Sequence, residues 1–144
     1  MDNPHNLQRF IQAQGQVIDT VLAELHAGKK RTHWIWYIFP QLAGLGYSET
    51  AKRYGISGLD EARAFMADPI LGPRLTACSS ILLSLDRGSI TDILGAPDDL
   101  KFQSCMTLFA AASSLQPVFD QCLQKYFAGE PDRMTLAKLA STSN

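Results

Sequence analysis

The sequence has no excess of charge of either sign. Its 144 residues carry 13 Lys and Arg against 14 Asp and Glu, which gives a formal net charge of −1. A nucleic-acid-binding domain normally presents a clearly basic face, so we expect no DNA or RNA partner. The one basic cluster, "GKKR" at 28–31, follows a predicted helix. We interpret it as a helix C-terminus, where cations are favourable, rather than as a phosphate site.

Long hydrophobic runs are also missing. No stretch approaches the roughly 20 apolar residues that a membrane-spanning helix needs. The first residues lack the charged start, apolar run and small-residue cleavage site of a signal peptide. We therefore expect a cytoplasmic protein with no membrane partner.

Cysteine and histidine are scarce, with three of each. Cys78, Cys105 and Cys122 lie far apart and lack the close pairing of a zinc or redox motif. No two histidines have the spacing of metal ligands, and the phosphate-loop, dinucleotide and nucleophile-elbow motifs are missing too. We expect buried free thiols, no metal site and no cofactor.

What the sequence does contain is a helical pattern along nearly its whole length. Apolar residues recur at three-and-four spacing from Leu7 to Leu25, Ser or Pro begins most later segments, and Gly ends several of them. The chain length suits one globular domain. We predict an all-α or mainly α fold over residues 1–144, a compact single-domain bundle of about seven or eight short helices. Its core covers about 7–139, with short frayed termini that include the tail at 141–144.

The two tryptophans lie close together in the stretch "RTHWIWYIFPQLAGLG", residues 31–46. Its centre, "HWIWYIF", is apolar all round, so periodicity does not separate a buried helix from a strand. We favour a short buried helix that Thr32 caps and Pro40 ends, because the residue before a proline avoids the helical region. Most of its apolar side chains suit a core.

Polar residues around this strip form the first candidate site. Histidine is a residue type suited to acid–base roles, which makes His33 a candidate, and Gln41 supplies a second hydrogen-bonding group. Ser48 precedes a helix whose first backbone N–H groups are free to bind a ligand. With the ring face of Trp34 or Trp36, these groups suit a planar heterocycle, a sugar or a phosphate. The alternative is ordinary core packing with helix capping.

The second candidate is "GAPDDLKFQSCMTLF", residues 95–109. Lys101 and Ser104 are three residues apart, so they share one face of the predicted helix. That face fits the wall of a cleft, and it equally fits an ordinary amphipathic helix. We assign Asp98 and Asp99 to the first turn of the helix, where negative charge is favourable.

The third candidate is "AGEPDRMTLAK", residues 128–138, where Asp132 and Thr135 are one turn apart. Helix capping explains this pair. If the Asp132 carboxylate points inward, it suits a general base or an acceptor for a sugar hydroxyl.

Five stretches together resemble domain-of-unknown-function family 1810, whose members are single-domain bacterial and fungal proteins. They are "LQRFIQAQ" at 7–14, "RTHWIWYIFPQLAGLGYSETAKRYGI" at 31–56, "EARAFMADPILGPRL" at 61–75, "ILGAPDDLKFQSCMTLF" at 93–109 and "KYFAGEPDRMTL" at 125–136. The resemblance runs from Leu7 to about Leu139. It implies a compact, mostly helical fold and supplies no activity.

A more distant similarity is to the NADAR superfamily, small helix-rich proteins associated with ADP-ribose and with cleavage of N-glycosidic bonds. It lies in size, helical composition, a Trp-containing motif and the later helix with Lys101 and Phe102. This similarity implies a class of ligand and assigns no catalytic role to any residue.

These observations lead to one hypothesis and two alternatives. The hypothesis is a cleft between the Trp motif and the Lys101 helix that binds a nucleotide-like or ADP-ribose-like small molecule and is suited to N-glycosidase-type hydrolysis. Its ligand-binding residues are Trp34, Trp36, Gln41, Ser48, Lys101 and Ser104, and its catalytic candidates are His33 and Asp132. One alternative is a non-catalytic protein–protein interaction domain with a tryptophan in an exposed apolar patch. The other is that the polar residues only cap and brace helices.

Overall fold

Ten α-helices occupy residues 5–142, the part of the chain that the computed structural model describes. They are α1 Gln8–Gly15, α2 Ile18–Ala27, α3 Ile35–Ile38, α4 Glu49–Tyr54, α5 Leu59–Ala67, α6 Leu71–Ser84, α7 Ile90–Leu94, α8 Asp98–Ala112, α9 Val118–Phe127 and α10 Arg133–Thr142. Extended backbone pairs within 5–142 only at an isolated parallel bridge between Leu42 and Ile56. The all-α prediction is confirmed, although the helices exceed the predicted seven or eight.

The pattern predicted as one helix over 7–25 forms two helices. α1 ends at Gly15 and α2 begins at Ile18, with Val17 outside helical geometry at φ −126°. Phe10 of α1 and Val21 of α2 are both fully buried, so the two helices present their apolar faces to the same core. The apolar spacing therefore continues across the break and conceals it.

The tryptophan strip forms a short buried helix, as the sequence predicted. α3 contacts α1, α4, α6 and α8, and Trp34 and Phe39 at its two ends are almost fully buried. Thr32 does not cap α3, because its hydroxyl instead donates to the Glu24 carboxylate at 2.8 Å. The helix therefore lies at the centre of the fold, and only part of its surface is left for a ligand.

α8 is the other central element, in contact with α3, α5, α7, α9 and α10. Cys105 on α8, Cys122 on α9 and Cys78 on α6 are buried free thiols, as predicted. Burial raises the pKa of Cys78 and of Cys122 to about 12 and raises the pKa of Cys105 well above its ordinary value. These thiols stay protonated and act as small apolar core residues.

α10 extends to Thr142 and so includes the first two residues of the tail predicted to fray, while residues 1–4 and 143–144 lie outside the described part. Across residues 5–142, the helices are too short or too polar to cross a membrane.

Candidate functional site

A concave cavity of about 230 Å³ opens between α3 and the first turns of α4 and α8. We call it the Trp36 cavity. It is lined by Lys30, His33, Trp34, Ile35, Trp36, Tyr37, Ser48, Thr50, Asp98 and Lys101. Two of the three stretches singled out in the sequence therefore line this cavity together. They are residues 31–46, which contain both tryptophans, and residues 95–109, which contain Lys101.

Two lysines share one carboxylate on the wall of the Trp36 cavity. Lys30 Nζ lies 2.8 Å from Asp98 Oδ2, and Lys101 Nζ lies 3.3 Å from Asp98 Oδ1. The Lys30 side chain is 6% exposed and the Lys101 side chain 27% exposed, so Lys101 is the more accessible cation. The three groups leave the wall with one excess positive charge.

Each of these lysines also lies over an indole ring, with Nζ of Lys101 5.0 Å from the Trp36 centroid and Nζ of Lys30 5.0 Å from the Trp34 centroid. Trp34 is 1% exposed, whereas Trp36 is only half-buried. Gly46 lies against the Trp36 ring, since an added Cβ would come within 3.1 Å of it. Trp36 is therefore the indole that a ligand can reach, and glycine at position 46 allows its placement.

A buried carboxylate holds Trp34 in place behind this wall. Glu24 accepts hydrogen bonds from Trp34 Nε1 at 2.9 Å, from the Arg31 and Thr32 backbone N–H groups and from the Thr32 hydroxyl. Burial alone raises the pKa of Glu24, but these hydrogen bonds outweigh it and lower the pKa from 4.5 to about 2. The carboxylate is ionised at neutral pH and fixes the 30–34 segment that carries Lys30.

The lowered pKa of Glu24 predicts a specific acid sensitivity. Because the folded pKa lies below the unfolded value, the stabilisation is present above pH 4.5 and is lost as the pH falls towards 2. We expect the difference in unfolding free energy between the wild type and Glu24→Gln to shrink by about 2 kcal/mol between pH 5 and pH 3. Urea titrations of both proteins across this range measure it. Curves that stay parallel would contradict the assignment, because all other carboxylates titrate in both proteins.

A second cavity, of about 300 Å³, lies between α8 and the start of α10. We call it the Gln41 cavity. It is lined by Gln41, Leu45, Pro97, Leu100, Lys101, Gln103, Ser104, Asp132 and Met134. Residues from all three stretches singled out in the sequence contribute to it, and Lys101 lines both cavities.

Asp132 begins α10 and is tied to α8. Its Oδ2 accepts from the Thr135 backbone N–H at 3.1 Å, from the Thr135 hydroxyl at 2.5 Å and from Ser104 Oγ at 3.0 Å. Its backbone N–H donates to Thr107 Oγ1 at 2.8 Å. All three contacts on the carboxylate fall on Oδ2. The carboxylate thus caps a helix and joins it to α8, which is the capping role considered from the sequence.

The structure divides the predicted site residues between the two cavities. Those that line the Trp36 cavity are His33, Trp34, Trp36, Ser48 and Lys101. Those that line the Gln41 cavity are Gln41, Ser104 and Asp132, together with Lys101 again. His33 and Ser48 are exposed at the rim, and Ser48 Oγ caps α4 by accepting from the Ala51 N–H at 3.0 Å. The two catalytic candidates, His33 and Asp132, do not share a cavity.

Two charged residues of the Trp36 cavity were assigned other roles from the sequence. Lys30 was assigned to the end of α2, and Asp98 to the first turn of α8. The three-residue spacing of Asp98 and Lys101 is a signal for their ion pair. No local signal reveals Lys30, because 68 residues separate it from Asp98 and only the fold brings them together. No three His, Cys, Asp or Glu side chains within 5–142 lie close enough to hold a metal ion.

Comparison with known proteins identifies the family. The family "Protein of unknown function (DUF1810)" matches residues 4–139. The crystal structure of the conserved hypothetical protein Rv1873 from Mycobacterium tuberculosis is similar, with a TM-score of 0.95 and 49% sequence identity over 96% of this chain and 99% of that chain. No curated protein matches. Since the family match covers almost the whole chain and a solved relative shares both fold and half the sequence, the chain belongs to the DUF1810 family.

Proposed function

We propose that this protein binds a nucleotide-like small molecule of the ADP-ribose class in the Trp36 cavity. The observation that carries the proposal is the position of Lys101. Its ammonium lies over the Trp36 ring, pairs with Asp98 and lines the cavity. A cation and an accessible aromatic ring are thus presented together, and they match the anionic and planar parts of a nucleotide.

The charge balance of the cavity favours an anionic group. Two ammonium groups converge on one carboxylate, so Asp98 neutralises only one of them. A lysine ammonium has three donors, and the pairing with Asp98 leaves Lys101 donors for a phosphate oxygen. His33 at the rim adds a hydrogen-bonding group that is accessible to the same ligand.

The aromatic wall favours a planar group. Trp36 is half-buried and supported by Gly46, so its ring is held in place while part of it stays accessible. Stacking of a base on such a ring contributes about 1–3 kcal/mol. Trp34 forms the wall behind Lys30 rather than a second stacking surface, because it is 1% exposed.

The same geometry supports small-molecule binding over the protein-interaction alternative. That alternative requires Trp34 or Trp36 in an exposed apolar patch, whereas Trp34 is buried and Trp36 lines a concavity. Binding is also better supported than hydrolysis. The Asp132 carboxylate is already engaged in capping α10 and in holding Ser104, and His33 lines the other cavity, so the two catalytic candidates do not act on one bond together.

Loss of the Lys101 charge should weaken binding. We expect AMP or ADP-ribose, at about 100 times its dissociation constant, to stabilise the wild type by about 2.7 kcal/mol. For a chain of this size, that raises the melting temperature by several degrees. In Lys101→Met the dissociation constant should rise at least about tenfold, since a charged hydrogen bond is lost. Thermal shift and calorimetry measure both effects.

Lys52→Met is the matched control, because the Lys52 side chain is 64% exposed on α4 and does not line the cavity. It should bind as the wild type does. The proposal fails if neither probe shifts the melting temperature of the wild type, or if Lys52→Met loses as much affinity as Lys101→Met.

A further inference from the structure

We propose that the ligand has two parts, and that the second is a hydroxylated, sugar-like group bound in the Gln41 cavity. This inference rests on the proposed function, since it assigns the other end of the same ligand. Lys101 lies between the two parts because it lines both cavities, and its ammonium suits an anionic link such as a phosphate. The ligand class is therefore a sugar joined through phosphate to a nucleoside, whose planar base lies at Trp36.

Cavity size supports a ligand in two parts. Small-molecule pockets usually measure about 300–1,000 Å³. The Trp36 cavity, at about 230 Å³, is below that range, and the Gln41 cavity, at about 300 Å³, is at its lower limit. A ligand that occupies both, which share Lys101 in their walls, uses a volume within the range.

The strongest observation is the side-chain amide of Gln41. Gln41 is 3% exposed, yet its Nε2 has no hydrogen-bond partner anywhere in residues 5–142. A buried amide without a partner costs free energy, so such groups are rare in folded proteins. The backbone around it is held in place, because the Ile56 N–H donates to the Gln41 carbonyl at 2.8 Å and the Ala43 N–H donates to the Ile56 carbonyl at 2.7 Å. A ligand that accepts a hydrogen bond from Nε2 would remove this cost.

The remaining lining identifies the group that fits. Gln41 offers a donor, while the Asp132 carboxylate, whose hydrogen bonds all fall on Oδ2, offers an acceptor through Oδ1. A hydroxyl both accepts and donates, so neighbouring hydroxyls of a sugar match this pair. Leu45 and Met134 supply apolar contacts for the carbon face of a sugar ring.

The test compares three probes that contain different parts of the ligand. AMP carries the base with its own ribose and one phosphate, and lacks the second sugar that the proposal places in the Gln41 cavity. Ribose 5-phosphate carries only that second sugar and a phosphate, and ADP-ribose carries all parts. Calorimetry measures their dissociation constants for the wild type, Gln41→Met and Gln41→Leu. Gln121→Met, at an exposed position of α9, is the matched control.

We expect both Gln41 variants to weaken ribose 5-phosphate and ADP-ribose about tenfold and to leave AMP unchanged, because only the first two lose the Gln41 hydrogen bond. The ligand-free Gln41→Met protein should melt at the wild-type temperature or about 2–4 °C higher, because methionine keeps the volume and removes an unpaired buried amide. A melting temperature that does not fall separates a binding role from a structural one.

Two results would overturn the inference alone. The first is unchanged affinity of both Gln41 variants for ADP-ribose and ribose 5-phosphate while AMP still binds. The second is an equal loss for all three probes with a lower melting temperature, which would make Gln41 a structural residue. Failure of the wild type to bind any of the three probes would instead overturn the proposed function, and this inference with it.

Discussion

Replacing Glu24 by alanine is expected to lower the free energy of unfolding by about 4 kcal/mol. The carboxylate accepts four hydrogen bonds, from Trp34 Nε1, the Thr32 hydroxyl and the backbone N–H groups of Arg31 and Thr32. Alanine leaves the indole N–H buried without an acceptor, and a cavity replaces the missing side chain. Urea denaturation at pH 7 measures the loss.

Two matched variants make this prediction specific. Glu49→Ala removes a glutamate whose side chain is 95% exposed on α4, and its effect should stay within about 0.5 kcal/mol. Glu24→Gln keeps an oxygen acceptor and most of the volume, so it should fall between the wild type and Glu24→Ala. A loss below about 1 kcal/mol for Glu24→Ala would show that the hydrogen bonds to Glu24 do not stabilise the fold.

The same substitution should also weaken ligand binding at the Trp36 cavity. Lys30 Nζ donates to the Thr32 carbonyl at 2.6 Å and lies over the Trp34 ring, so the segment that Glu24 fixes also positions Lys30 beside Asp98. Glu24 does not line the cavity. It is a positioning residue, and its effect on binding should be smaller than that of Lys101.

Gly72→Ala is the second substitution with a large expected effect, a loss of about 3 kcal/mol in unfolding free energy. Gly72 is buried in the first turn of α6, where an added Cβ would lie 2.1 Å from the Met66 carbonyl oxygen. The obstacle is backbone, so no rotamer change relieves it. The turn between α5 and α6 is itself fixed, because Asp68 Oδ1 accepts from the Ile70 and Leu71 N–H groups at 2.8 and 3.0 Å.

Gly15→Ala is the matched control for Gly72→Ala, because nothing lies within 4 Å of a Cβ added at Gly15. Gly15 ends α1, so alanine there should stabilise the protein by about 0.4–1 kcal/mol through the unfolded state. Thermal melts of the two variants should therefore shift in opposite directions. A Gly72→Ala protein that melts with the wild type would mean that α5 and α6 separate at no cost.

The sequence predicted the features of this protein that depend on residues close together in the chain. Helical spacing and Ser, Pro and Gly at segment ends predicted the all-α fold and most of the later helices, since these signals act within one or two turns. The position of the break at Gly15 was missed, because Phe10 and Val21 face one core and keep the apolar spacing continuous. Buried free thiols followed from the position of each cysteine in a helical segment.

The candidate site was predicted less completely, because its contacts join residues that are far apart in the sequence. Lys101 and Trp36 were singled out for their residue types, but Lys30 was assigned to a helix end because its partner Asp98 is distant in sequence. The sequence also grouped His33 with Asp132, whereas the fold places them in different cavities. Residue type identified candidates, and it carried no information about which of them face one another.

By itself, the sequence determined the fold class, the family and the stretches from which a site could form. The fold class follows from the short-range spacing of apolar residues, and the family follows from motifs that can be read directly in the chain. Only the tertiary structure decided that Trp34 is buried while Trp36 is accessible, that Asp98 joins two lysines, and that the Gln41 amide is buried without a partner. Each of these depends on contacts between residues far apart in the chain. Such contacts arise when helices pack, and the pattern of any one segment does not specify them.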